Sequence, residues 1–193
     1  DTLKALALAM ETKDPYSRGG TERVLDYADA IGMAYALPKE DQDALRIAAL
    51  LHDIGMAAAG TGVLTADRPL TTVERALLKM HPQIAADVLA EAPALRSVVP
   101  IVYHHHEWYD GGGYLSGMSG ESIPIGARIL AVADAFVAMT SPRPYRAACS
   151  TAAALRELSE KAGSQFDPAV VDVLRDILDR GSDRVPGSSD GRS

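Results

Sequence analysis

From Pro124 to Met139 the apolar residues Ile125, Ile129, Val132, Ala133 and Phe136 return at the spacing of one α-helical face. No stretch elsewhere reads as a credible strand, so this apolar helix has only other helices to pack against. Alanine and leucine dominate the chain and aromatic residues make up only 5% of it. That balance favours helices packed closely through small side chains over a β-sandwich, which draws on Val, Ile, Tyr and Phe. The fold class is therefore all-α. With 193 residues, 47% of them hydrophobic, the chain can bury one core and is expected to form a single domain.

The punctuation along the chain divides it further. Helices are expected over Thr2 to about Thr12 and Gly20 to Ala36, separated by the breaker-rich Asp14-Pro15-Tyr16-Ser17-Arg18-Gly19. After Pro38, Asp41 or a neighbour caps a helix running through Leu45 and Leu51 to His52. The stretch Ala59 to Pro69 reads as a loop. Thr71 with Glu74 three residues on forms a capping box for a helix to about Lys79. Pro82 biases His81 away from helical geometry, so a kink or restart is expected there. A further helix is expected over Leu95 to Tyr103, and Gly111-Gly112-Gly113 after Asp110 must be a turn. Ser150 caps a helix through Leu158, and Asp167-Pro168 opens the last one, to about Asp179. The domain is expected to span 1–180, and the Ser, Gly, Asp and Arg of 181–193 to be a disordered tail. The chain begins already in a helical pattern, and a longer protein is expected upstream of it.

Charge and cysteine content narrow the partners. A formal net charge of -7 offers no field to attract a long nucleic acid, although a small phosphorylated ligand can still bind where positive charge is local. The single cysteine, Cys149, cannot form an intrachain disulfide and suits a reducing cytoplasm. No run approaches the roughly 18–20 apolar residues needed to span a bilayer, so no membrane span is expected.

All five histidines, His52, His81, His104, His105 and His106, fall in one window of the sequence. Any one of them alone reads as an ordinary polar residue; the grouping does not. Asp53 follows His52 at the end of an apolar helix, and Asp134 sits inside the run Ile129 to Phe136, where a carboxylate is costly unless paired or bound to metal. Imidazole mixed with carboxylate suits iron, manganese, zinc, cobalt or nickel. Two such ions close together make water nucleophilic near neutral pH and clamp phosphoryl oxygens. Asp53 is the natural bridge, since one carboxylate reaches two ions. Spacing alone does not choose among His104, His105 and His106.

Seven ordered stretches resemble the HD-GYP branch of the HD phosphohydrolase superfamily: Leu50 to Gly55, His81-Pro82, His105-His106-Glu107, Asp110 to Tyr114, Val132-Ala133-Asp134, Arg143-Pro144-Tyr145-Arg146 and Gln165-Phe166-Asp167-Pro168. The resemblance implies a helical bundle of about seven to eight helices. It also implies a centre of two or three metal ions, read here as two divalent transition-metal ions with iron or manganese ahead of zinc, cobalt or nickel, that hydrolyses cyclic di-GMP to pGpG or GMP. By position, His52, Asp53, His81, His105, His106 and Asp134 match the metal ligands, with His52 and Asp53 the catalytic pair. Arg143 and Arg146 match positions that contact the dinucleotide's phosphates, a role that suits guanidinium forks. Tyr114 matches the loop tyrosine that contacts the ligand.

Four positions depart from the family pattern. Gly20 stands where a ligand histidine is usual, which weakens one metal position. Met56 replaces a lysine and removes a cation. Leu115 replaces the proline of Gly-Tyr-Pro and loosens a loop associated with protein partners as well as ligand. Val137 stands where aspartate is common. The reading is a metal-dependent cyclic di-GMP phosphodiesterase of reduced activity. Two other readings stand beside it: a module that binds cyclic di-GMP or a protein partner without cleaving it, and a phosphohydrolase acting on another nucleotide.

Overall fold

The computed structural model describes residues 3, 19–64, 66, 68–142 and 147–180. Their regular structure is helical throughout, with no strand among the described residues, as the composition predicts. In chain order the α-helices are α1 Gly20–Ala34, α2 Lys39–Leu51, α3 Thr61–Leu64, α4 Thr72–Lys79, α5 His81–Ala90, α6 Val99–His104, α7 Ile125–Thr140, α8 Thr151–Glu160 and α9 Pro168–Arg180. Short 3-10 turns cover Ile54–Ala59, Pro93–Leu95 and Gly120–Ser122.

The expected helix over 124–139 is α7, and it is the axis of the molecule. Nine of its sixteen residues are buried on several sides, from Gly126 to Met139. A helix apolar on that much of its surface must be enclosed, and α1, α2, α6, α8 and α9 all pack on it. Small residues set the close approaches: a Cβ at Gly126 would press into the side chain of Ile101 on α6. Phe136 meets Tyr27 of α1 edge to face at 4.9 Å, the arrangement aromatic quadrupoles prefer. At the far end of α7, Arg23 of α1 donates to the hydroxyls of Thr140 and Ser141, each at 2.7 Å.

The capping chemistry is as expected at three places. Thr71 Oγ1 accepts from the Glu74 amide at 3.2 Å while Glu74 accepts from the Thr71 amide at 2.8 Å, closing the box at the start of α4. Ser150 accepts from the Ala153 amide at 3.2 Å. Asp167 accepts from the Ala169 amide at 2.9 Å and also receives Arg128 of α7 at 2.5 Å, in a buried pair that fastens the start of α9 to the central helix.

Two local expectations differ in detail and a third, the restart at His81, is met. The stretch 59–69 is not all loop, because the alanine-rich Met56–Ala59 winds into the 3-10 turn and α3 follows. The helix expected from Leu95 starts at Val99, since Pro100 lacks an N–H and fits only in a first turn. At His81 the chain restarts: Met80 keeps right-handed helical angles, ends α4 and opens α5, and Pro82 falls in the first turn of the new helix. The expected helix at Thr2–Thr12 and the expected tail at 181–193 lie outside the described residues, Leu3 apart.

Removing the buried pair should cost more than removing an exposed cap. Asp167→Ala is expected to lower unfolding stability by about 3 kcal/mol, because Arg128 is left buried and unpaired. Thr71→Ala should cost about 1 kcal/mol. Denaturant titration compares them, and equal losses would show that the Arg128–Asp167 pair does not hold α9 in place.

Candidate metal centre

Three helix ends and one helix middle converge on a single point. His52 and Asp53 close α2, His81 opens α5, His105 and His106 follow the last residue of α6, and Asp134 lies within α7. Gly55 makes the meeting of the first two groups feasible. A Cβ there would collide with the carbonyl oxygen of His81, so only glycine lets the first turn of α5 approach the turn after Asp53 this closely.

The imidazoles are oriented from behind. His52 Nδ1 lies 3.0 Å from the carbonyl of Ala49, His81 Nδ1 2.7 Å from that of Leu78, and His105 Nδ1 2.7 Å from that of Val102. A carbonyl can only accept, so each Nδ1 carries the proton and each Nε2 is left to face inward. The repeated three-residue spacing arises because each histidine sits at or near a helix end, where the carbonyls of the last turn lack helical partners.

The inward atoms crowd one another. His52 Nε2 is 3.3 Å from one carboxylate oxygen of Asp53, and His81 Nε2 is 3.3 Å from the other. His52 Nε2 also lies 3.9 Å from Asp134. His81 Nε2 and His105 Nε2 stand 3.4 Å apart. Two bare imidazole lone pairs at that distance repel, and a shared cation turns the repulsion into ligation. Donor atoms of His81, His105 and His106 all lie within 4.8 Å of one another.

Protonation follows the same geometry. Burial opposes charge on His52, but Asp53 and then Asp134 outweigh it and raise its pKa to about 9. Packing likewise opposes charge on Asp53, yet His52, His81 and His105 hold its carboxyl well below the ordinary carboxylate range. Burial, then the neighbouring imidazoles His106, His52 and His81, push His105 well below the usual histidine range. His106 falls to about 3 for the same two reasons, burial first and then His81. The neutral imidazoles of His105 and His106 beside the ionised Asp53 are donors that borderline divalent ions take, and an incoming ion would displace the proton that Asp53 favours on His52. The residues therefore fit such an ion.

A loop is fastened beside this centre by a residue that the sequence reading quoted only as part of a motif. Glu107 is buried, and its carboxylate accepts from the amides of Leu115 at 3.2 Å, Ser116 at 2.6 Å and Gly117 at 3.1 Å, and from the Ser116 hydroxyl at 2.8 Å. Burial opposes its charge, but these donors, those of Ser116 foremost, hold its pKa below the usual value. A buried carboxylate surrounded by backbone N–H groups organises a loop much as an anion organises a helix start. Gly113 is required in the same place, because a Cβ there would run into the backbone of His106, Glu107 and Trp108. A carboxylate directly after two candidate ligands was the available signal in the sequence, but nothing there showed which amides it would gather.

Tyr114 comes out of that loop with its ring stacked on His106, centroids 5.1 Å apart. Burial, followed by Asp53 and Asp134, raises its phenol above the ordinary range, so it stays a neutral donor. His104 does not join the cluster; its Nδ1 faces Ser116 at 3.3 Å and Glu107 at 3.8 Å, behind the loop. His52, Asp53, His81, His105, His106, Asp134 and Tyr114 are thus brought together. Arg143 and Arg146 lie outside the described residues. A Cβ at Gly20 would meet no atom within 4 Å, so that position has room for a side chain. Leu115 donates its amide to Glu107, a bond that proline could not make.

A family model described as "HD domain" matches residues 4–170. The cyclic di-GMP phosphodiesterase response regulator RpfG of Xanthomonas campestris pv. campestris is 39% identical over 176 residues, covering 90% of this chain and 47% of that protein. The 3'3'-cGAMP-specific phosphodiesterase 3 of Vibrio cholerae is 33% identical over 189 residues, covering 96% and 41%. The chain thus spans about half the length, or less, of these curated relatives. Among solved structures, a cyclic GMP-AMP specific phosphodiesterase from V. cholerae superposes with a TM-score of 0.70 at 21% identity, over 92% of this chain and 49% of that one. An HDG"Y"P protein from Bdellovibrio bacteriovorus does so with a TM-score of 0.66 at 20% identity, over 83% and 51%. The last two show the fold.

Two substitutions test the centre by metal content, read by elemental analysis of protein purified with iron or manganese. Asp53→Ala should lose essentially all bound metal, and full occupancy in that variant would end its assignment as a bridge. Gly20→His should raise metal content, because the open space beside α1 admits an imidazole. An unchanged content would mean that this position is too far from the cluster to contribute a ligand.

Proposed function

We propose, on the premise that this chain belongs to the HD domain family, that it is a metal-dependent phosphodiesterase hydrolysing cyclic di-GMP to pGpG or GMP. The observation that carries the reading is the convergence of His52 and His81 Nε2 on the two oxygens of Asp53, with His105 Nε2 3.4 Å from that of His81 and all three rings locked from behind by backbone carbonyls. The naming of its relatives as cyclic di-GMP and cGAMP phosphodiesterases supports it, and favours an enzyme over a module that binds without cleaving.

The residues divide naturally between two divalent ions, iron or manganese. The two oxygens of Asp53 face different imidazoles, His52 on one side and His81 on the other. His52 with Asp134 serves one position; His81, His105 and His106 serve the second. Ions held there would polarise phosphoryl oxygens and lower the pKa of a water. The chain's own side chains do the rest. Tyr114, neutral and fixed against His106, offers a phenolic proton to the ligand, while Arg143 and Arg146 hold its non-bridging oxygens. The Nδ1–H···O=C bonds keep the ligand imidazoles from rotating, so little order is lost when metal enters.

The catalytic unit is the domain 1–180, and a single free cysteine, Cys149, suits a cytoplasmic location. No described helix is long and apolar enough to cross a membrane. The Gly113-Tyr114-Leu115 loop, held from inside by Glu107, is the surface offered to a protein partner.

The test is incubation of the purified protein with cyclic di-GMP or 3'3'-cGAMP, under oxygen-free conditions with iron or manganese supplied, and chromatography of the products. The expected result is linear dinucleotide from the parent protein and none from Asp53→Ala. Metal-loaded parent protein that binds the dinucleotide and leaves it intact would replace the enzyme with the binding module.

A further inference from the structure

Lys79 is the last residue of α4, directly before the turn that delivers His81 to the centre. Its Nζ lies over the ring of Tyr114, 5.4 Å from the centroid. That ring is in turn stacked on His106. A cation, an aromatic ring and a candidate ligand imidazole therefore adjoin in turn between the end of α4 and the cluster. Lys79 is exposed, and no ion pair joins it to a described residue. An exposed lysine ordinarily sweeps a wide volume; a ring beneath its ammonium favours one place.

The surroundings indicate which charge it meets. The side chain of Asp53 is 55% exposed and that of Asp134 32% exposed, so the cluster opens to solvent with two carboxylates at its mouth. Several described cations are committed elsewhere: Arg68 to Glu74, Arg46 to Asp29, Arg128 to Asp167 and Arg23 to the end of α7. A cyclic dinucleotide carries two phosphodiesters. On the reading above, the metal ligands with Arg143 and Arg146 serve the phosphate that reacts, and the second anion is left for a further cation at the rim. We infer that Lys79 is a substrate-contacting residue, its ammonium donating to a non-bridging oxygen of the non-reacting phosphate while the Tyr114 ring steers its stem. The inference rests on the phosphodiesterase reading above.

The discriminating experiment compares a substrate with two phosphodiesters to one with a single phosphodiester. KM and kcat are measured for cyclic di-GMP and for bis(p-nitrophenyl) phosphate, with the parent protein, Lys79→Met and Lys79→Arg. Lys79→Met should raise KM for cyclic di-GMP about tenfold, the size of one charge-assisted hydrogen bond at a partly exposed site. Its kcat should stay within about twofold, its KM should become less sensitive to salt, and the single-phosphodiester substrate should be unaffected. Lys79→Arg should restore most of the loss. If both substrates respond alike, or neither does, Lys79 serves only the C-terminus of α4 and the inference is overturned. A parent protein that cleaves neither substrate would instead remove the phosphodiesterase reading, and this inference with it.

Discussion

Asp53 holds an imidazole on each of its two oxygens, His52 on one and His81 on the other, and the surrounding fold is arranged so that these contacts can form. The two histidines come from helices that would otherwise have no reason to meet end to end. α2 stops one residue before His52, α4 and α5 break at Met80 so that His81 starts a new helix, and Gly55 clears the space between them. Behind this junction α7 supplies the apolar mass against which α1, α2 and α6 are fixed, and it also carries Asp134 to within 3.9 Å of His52. A core built on close helix contacts tolerates little drift, and that stiffness keeps the imidazoles near the carboxylate.

Such a cluster is costly to build without an occupant. Four imidazoles are taken from water into a packed junction, where His105 and His106 are driven neutral by burial and by neighbouring imidazoles. The ion pair of His52 with Asp53 offsets only part of that cost, and two Nε2 atoms still face each other at 3.4 Å. Divalent ions relieve both difficulties, because they satisfy the lone pairs and match the carboxylates in charge.

The loop bearing Tyr114 illustrates how a change in one signature residue is accommodated. Leucine stands at position 115 where proline belongs to the family signature, yet the loop is not left slack. Glu107 gathers the amides of residues 115, 116 and 117, and the amide of Leu115 is one that proline would lack. Backbone hydrogen bonds to one buried carboxylate thereby take over the ordering that a fixed φ angle would supply. The rim of the site is more loosely constructed. α4 has no buried residue, and Lys79 is placed by a single aromatic contact.

Most of the local structure was legible in the residue order. The helical spacing of Ile125 to Phe136, the Thr71–Glu74 box, the Ser150 and Asp167 caps and the restart at His81-Pro82 all act over one or two turns, so the sequence alone determined them. The membership of the cluster was legible too, through the grouping of histidines and the cost of Asp134 in an apolar run. What only the tertiary structure decided was pairing and orientation: which oxygen of Asp53 faces which imidazole, that Nδ1 rather than Nε2 carries the proton on three rings, and that His104 turns away behind the loop. It also decided the anchoring role of Glu107 and the position of Lys79 over Tyr114. These depend on contacts between residues far apart in the chain, where no local periodicity or capping preference operates and only the packing of α2, α5, α6 and α7 against one another sets the distances.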